Sequence, residues 1–143
     1  MQAARTATDK YHQLSTTKAA GYTKLVDING IACIAQPGQG AMGVHYVKAA
    51  LVGDAAIRLR QPEALVYRPT KSGLRLLALE YVVLRRAANG ANAPRPMLYG
   101  QSFNFTPKGN RFGLPAFYSL HAGIWYANPA GMFMMWNPRV HCP

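Results

Sequence analysis

A carboxylate set among aliphatic side chains is the group in this chain most able to do chemistry. Glu80 lies inside the apolar run Leu74-Arg-Leu-Leu-Ala-Leu-Glu-Tyr-Val-Val83. Two imidazoles have similar company. His45 stands in Met42-Gly-Val-His-Tyr-Val47, and His121 in Phe117-Tyr-Ser-Leu-His-Ala-Gly-Ile-Trp-Tyr126. All three stretches are rich in β-branched and aromatic residues and read as strands. A carboxylate buried among Leu, Ala and Val costs several kcal/mol unless a partner meets it. Two imidazoles and one carboxylate converging from three strands would make a two-His, one-carboxylate metal site or an acid/base pocket. The competing reading is a structural network, with His and Glu buried together and bonded to each other and to backbone.

The period of two sharpens this expectation. It places Leu76, Ala78, Glu80 and Val82 on one face of their strand. It places Phe117, Ser119, His121, Gly123 and Trp125 on one face of another, with open space beside His121 at Gly123. His45 shares its face with Gly43 and Val47. Glu63, after Pro62 at a strand start, is a fourth candidate ligand; it also suits a surface acid beside Arg58 and Arg60, as does Asp54. The expected metal set is His45, Glu80, His121 and Glu63, for iron, copper or zinc. Glu80 and Tyr46 are the candidate catalytic groups, and the chemistry would be of a metal-dependent oxidoreductase or lyase type. His12 suits an exposed helical position, and His141 a tail.

Other constellations fail on context. Gly38-Gln-Gly-Ala-Met-Gly43 matches G-x-G-x-x-G, but the dinucleotide mechanism needs a helix N-terminus directly after the glycines. Val44-His-Tyr-Val47 is a strand instead. No nucleophile elbow, P-loop, H-E-x-x-H or closely spaced cupin histidines occur. The methionine and aromatic text from Trp125 to Arg139, with two Asn-Pro turns, suits adaptable core packing. A pocket-mouth role or a thioether copper site are its functional alternatives.

The elements that must position these groups follow from pattern. Ala4 to Ala20 reads as a helix, with Thr6 or Thr8 as N-cap and Gly21 as its stop. Strands are expected at 23–28, 31–35, 43–47, 64–68, 74–84, 103–106 and 118–126. Asp27-Ile-Asn-Gly30 and Lys71-Ser-Gly73 are turns, and 49–54 a short helical turn. Residues 87–96 suit a surface loop, and 105–115 a flap. The fold class is α+β, an N-terminal helix followed by a curved, mostly antiparallel sheet or small β-barrel, in a single domain over 1–143.

The chain has 143 residues, half of them hydrophobic, with 16 Lys and Arg against 5 acids and a net charge of +11. That is globular, not disordered. No apolar run approaches the ~20 residues of a transmembrane segment. The positive charge is diffuse and carries no zinc-finger or RNP pattern, so no specific nucleic-acid partner is expected. An anionic surface or polymer remains a generic partner, and a small-molecule ligand the specific one. Cys33 and the penultimate Cys142 are expected to pair, tying the tail to an early strand in an oxidising compartment. Met1-Gln-Ala-Ala-Arg-Thr has no apolar signal core; the expectation, in line with the paired cysteines, is an exported protein, secreted or periplasmic, without its leader, with a cytoplasmic origin as the alternative.

The segments Met42-Gly-Val-His-Tyr-Val47, Pro62-Glu-Ala-Leu-Val-Tyr67, Leu79-Glu-Tyr-Val82, Leu120-His-Ala-Gly-Ile-Trp125, Asn128-Pro-Ala-Gly-Met-Phe133 and Trp136-Asn-Pro-Arg-Val-His-Cys142 cover nearly the whole chain. In that order they resemble a group of small exported bacterial proteins of unassigned function. The resemblance implies export and a shared pocket, and no particular reaction.

Overall fold

The computed structural model describes residues 1–86 and 94–143. The N-terminal segment is helical but broken. Helix α1 (Gln2–Thr8) runs into a 3-10 turn (Asp9–His12), and α2 (Leu14–Ala19) restarts after an extended Gln13. Neither Thr6 nor Thr8 caps α1, since Met1 holds that position. Thr8 instead bonds back to the Ala4 carbonyl at 2.7 Å, a contact that competes with continued helix.

Then follow β1 (Thr23–Lys24), β2 (Cys33–Gln36), β3 (Gly40–Val47), the short α3 (Ala49–Val52), β4 (Ala64–Thr70) and β5 (Gly73–Leu84). A small hairpin β6 (Met97–Leu98) and β7 (Gln101–Ser102) precedes β8 (Asn104–Thr106) and β9 (Phe117–Ala122). The main sheet runs β1-β3-β4-β5-β9-β8, with β2 also on β3. All its pairings are antiparallel. The sheet does not close, which corrects the barrel alternative: β8 and the short β1 remain edges. The α+β class with a helical N-terminus and an antiparallel sheet stands. The surface loop expected over 87–96 has its residues 87–93 outside the described residues.

One face of the sheet carries the main core. Val44, Tyr46, Leu65, Tyr67, Leu79, Tyr81, Val83, Tyr118 and Leu120 pack there with Ala4, Tyr11 and Tyr22. Buried tyrosines need partners for their hydroxyls. Tyr67 donates to the Tyr11 carbonyl at 2.8 Å and shares a 2.6 Å hydrogen bond with Thr17. These bonds anchor the helical segment to the sheet. The other face is left to curve around a cavity.

Both turns form where expected, but only the second joins a hairpin, since β1 and β2 each pair with β3 and not with each other. Asp27 Oδ1 accepts the Asn29 and Ile31 amides at 2.9 Å. Thr70 pairs with Gly73 across Lys71-Ser72. Four expected strands are shorter, those over 31–35 and 103–106 because they begin only at Cys33 and Asn104. The 23–28 strand ends at Lys24, and the 118–126 strand at Ala122. Beyond it Trp125 turns to the helical segment, where its indole donates to Thr8 at 3.3 Å. Trp125 therefore does not share the His121 face. Leu76 also changes sides. A register shift between Val66 and Tyr67 sets Leu76 opposite Tyr67 and Ala78 opposite Val66. Leu77 is the extra residue, so Leu76 joins the main core. A bulge re-phases the alternation in this way.

Gly43 lets β3 run close to β4. Its φ is +108°, and a Cβ built there would overlap the Tyr67 carbonyl. Side chains rarely adopt that backbone conformation, and the carbonyl is fixed in the sheet. Gly43→Ala is therefore expected to destabilise the fold by about 3 kcal/mol. Urea denaturation measures it; a loss below ~0.5 kcal/mol, the size of a neutral surface change, would contradict the close approach.

The tail returns to the sheet. Asn137 and Ala41 exchange backbone bonds at 3.0 and 3.1 Å. Cys33 and Cys142 form the expected disulfide, across 109 residues of sequence. The two Asn-Pro positions bracket the returning segment. Asn128 donates to the Met134 and Trp136 carbonyls, and Asn137 to Ala127.

A candidate metal centre at the floor of an apolar cavity

Glu80 and His121 are direct cross-strand partners on β5 and β9. His45 lies on β3, two strands from Glu80, opposite Val66 of β4. Between them stands Ala64, the partner of Glu80 on β4. Adjacent strands are about 4.8 Å apart, so β3 and β5 side chains meet only if the β4 residue between them is small. Ala64 provides that gap, and His45 crosses it diagonally. The sequence carries the signal in an Ala beginning an otherwise bulky strand, but its meaning needs the register.

His45 Nε2 lies 3.3 Å from Glu80 Oε2, and His121 Nε2 3.6 Å from Glu80 Oε1. The two rings are nearly perpendicular, with centroids 5.8 Å apart. One ligand atom from each residue falls within 4.8 Å of the other two. Atoms each ~2.1 Å from a shared ion stand about 3.0–3.5 Å from one another at right-angled to tetrahedral geometry. The 3.3 Å separation falls inside that range and the 3.6 Å one just beyond it, each to a different oxygen of Glu80. All three residues are buried, at 3, 7 and 4% exposure for His45, Glu80 and His121. The His121 Nε2 has no hydrogen-bond partner, nor has Nδ1 of either ring.

The electrostatics suit a cation. Burial works against the Glu80 carboxylate, but His121, His45 and the Ser119 hydroxyl outweigh it and hold the group ionised, below its ordinary range. Burial pushes His121 down, Glu80 pulls it up and His45 pushes it down again; the balance is downward. A metal would bind the carboxylate ionised and the imidazoles neutral, supplying in place of an imidazole proton the positive charge that Glu80 draws on. The three residues thus form a buried group able to hold a metal ion.

Above this group is a cavity of about 340 Å³. Its walls are aliphatic and aromatic, among them Leu25, Val82, Leu84, Phe112, Leu114 and Phe117. Ser119 stands with the three site residues, and exposed Lys24 also faces the space. Phe112 and Leu114 come from the expected flap. That loop is pinned at two points. Asn110 accepts the Phe112 and Leu114 amides, at 3.1 and 3.2 Å. Arg111 makes a two-pronged contact with Asp27 at 2.8 and 3.2 Å. Backbone donation from Ile31 and this guanidinium hold the Asp27 carboxyl below its ordinary range. Met42 and Met135 line the same cavity, so the methionine text contributes wall as well as packing.

Two expected site residues stand elsewhere. Tyr46 follows His45 on β3 and so faces the main core, where its ring packs edge-on against Tyr67 at 5.4 Å. Glu63 is fully buried, not a surface acid, yet it lies outside the ligand group. Its Oε2 accepts the Val82 amide at 2.9 Å, where β5 extends past the start of β4. Glu63 closes a gap in the sheet ladder. Asp54 does pair at the surface, with Arg58. His12 is exposed and rests on Trp125, and His141 is an exposed tail residue.

Glu63 should leave a mark on the pH dependence of stability. Burial lifts it from its ordinary 4.5 to about 7, against the pull of the Val82 amide. Between those values the folded chain keeps a proton that the unfolded chain has released. The associated stability is full below about pH 4.5 and lost as pH rises through about 7. The loss is on the order of 3 kcal/mol. Glu63→Gln is expected to flatten that slope between pH 5 and pH 8 in urea melts, relative to the parent chain. An unchanged slope would rule out Glu63 as its source.

Compared with protein-family models, curated proteins and solved structures, the chain finds no match.

Proposed function

We propose that this is a small exported protein in which His45, Glu80 and His121 hold one divalent transition-metal ion, at which a small molecule in the cavity is bound or transformed. The observation that carries the reading is the convergence of three buried donors, with one atom of each within 4.8 Å of the other two, on the floor of an apolar cavity. Three protein ligands leave coordination positions open to the cavity, as catalytic rather than structural sites do. Iron, copper and zinc all suit two imidazoles and a carboxylate. If a reaction occurs, it is metal-dependent, of an oxidoreductase or lyase type. The disulfide supports an oxidising compartment, and no helix among the described residues is long and apolar enough to cross a membrane. Several arginines lie over aromatic rings, including Arg5 on Trp125, Arg68 on Tyr126 and Arg85 on Phe105. This dispersal supports a solvated basic surface without a specific nucleic-acid reading element.

A second reading has one observation in its favour. Metal-bound histidines ordinarily donate their outer N–H to a partner, and neither Nδ1 has one in the protein. In this alternative the same three side chains bind a small ligand directly, by hydrogen bonds and proton sharing. Thermal melting of chelator-stripped protein separates the two. A metal present at 100-fold over its dissociation constant stabilises by about 2.7 kcal/mol, which raises the midpoint by roughly 5–10 °C in a chain of this size. No shift with iron, copper or zinc would favour the metal-free reading.

A further inference from the structure

We infer that the ligand of this cavity is an apolar monoanion, an alkyl or aryl carboxylate of about ten to fourteen non-hydrogen atoms, with its carboxylate at the metal-binding floor. The inference rests on the metal reading and names the molecule that would complete it. Size comes first. A dry cavity of about 150 Å³ accommodates benzene. One of about 340 Å³ accommodates roughly twice that bulk. Shape and polarity come second. Leu25, Val82, Leu84, Phe112, Leu114 and Phe117 offer no hydrogen bonds, whereas His45, Glu80, His121 and Ser119 form the one buried polar group of the lining among the described residues, with Thr23, Lys24 and Thr106 its other polar side chains. A ligand with one polar end and an apolar body matches that division.

Charge comes third. A divalent cation held by one carboxylate and two neutral imidazoles keeps a net charge of +1. Within low-dielectric walls that excess calls for one anionic donor. Without the ion, the floor offers no cation to receive that carboxylate. The ion therefore decides whether the cavity takes carboxylates at all. Exposed Lys24 is the only Lys or Arg lining the cavity among the described residues. It offers a competing place for the anion, but one that would leave the apolar tail against the polar floor.

Calorimetric titration of the intact protein, zinc-loaded and zinc-free, tests this with octanoate, 4-phenylbutyrate, acetate and octanol. Octanoate or phenylbutyrate should bind the zinc-loaded protein at least about tenfold more tightly than the zinc-free protein. The same margin should hold over acetate, which lacks the tail, and over octanol, which lacks the charge. Preference for octanoate indicates a linear alkyl ligand; preference for phenylbutyrate indicates an aryl one. Lys24→Met should leave the affinity within about threefold, as expected for a screened surface charge. Equal binding with and without zinc, octanol or acetate matching octanoate, or loss of binding in Lys24→Met would each overturn the inference. Metal analysis of the same samples separates the failures. One bound zinc without carboxylate binding removes only the ligand assignment. No bound zinc removes the metal reading, and this inference with it.

Discussion

Glu80→Gln is expected to abolish stoichiometric metal binding while the fold persists. Glu80 is the hub of the group, since both imidazoles approach its two oxygens and each other only at ring distance. The amide keeps the shape but removes the charge that makes a dication tolerable there. Removing even an outer partner of a metal ligand costs 10–100-fold in affinity, so loss of the sole anionic ligand should cost more than about 100-fold. Stability without metal should change little by comparison. The substituted amide would still meet the two imidazoles as a hydrogen-bonding group, and no carboxylate would be buried without a partner. Metal content per chain and the metal-free urea midpoint read the two effects separately. Retained stoichiometric metal in Glu80→Gln would mean that the donors lie elsewhere. An unfolded variant would mean that Glu80 is first a structural residue; His121→Gln, which removes one ligand and leaves the carboxylate, then decides whether metal binding was present.

The second large effect is expected from the tail. Replacing Cys33 and Cys142 together by Ser releases a closed loop spanning 109 residues of sequence. In the chain-entropy model that costs about 4–5 kcal/mol. Domains commonly have only about 5–15 kcal/mol of stability, so the double variant should unfold at a much lower denaturant concentration. The local consequence matters for the site. The tail bridges β3 through Asn137 and Ala41, and the returning segment brings Met135 to the cavity wall. Val140 packs beside Ala41, Val66 and Ala78. Denaturant midpoints of oxidised parent and double variant measure the effect. A difference below ~1 kcal/mol, outside the usual range for a native disulfide, would show that packing alone holds the tail.

The site was legible in the sequence where strand alternation ran undisturbed. From Ala78 to Leu84 and from Phe117 to Ala122 the period of two assigns each side chain to its observed face. Glu80 and His121 were therefore placed by pattern alone, and His45 by its short run with Gly43 and Val47. The reading failed where local pattern and tertiary demand parted. Leu76 sits just before the extra residue of a bulge, which no alternation rule anticipates. Ala4 to Ala20 has helical propensity, but Thr8 bonds backward and the backbone extends at Gln13. The Tyr11 carbonyl and Thr17 then meet the Tyr67 hydroxyl. Tertiary hydrogen bonds decided that segment, not propensity. Glu63 looked like a ligand or a surface acid because its partner, the Val82 amide, belongs to a strand 19 residues away. Tyr46 was grouped with His45 through adjacency, although adjacent residues of a strand face opposite ways. Leu25, Phe112 and Leu114 lie in irregular segments, where no period exists to reveal that they wall the cavity.

X-ray absorption at the K-edge of the bound metal tests the central claim most directly. The protein, purified without chelators and loaded with one equivalent of zinc, should show a first shell of nitrogen and oxygen alone at about 2.0–2.2 Å. Outer-shell scattering should require two imidazoles, and Glu80→Gln should lose the signal. A shell containing sulfur at about 2.3 Å, from Met42, Met135 or a reduced cysteine, or one that needs no imidazole, would contradict a His45–Glu80–His121 metal centre.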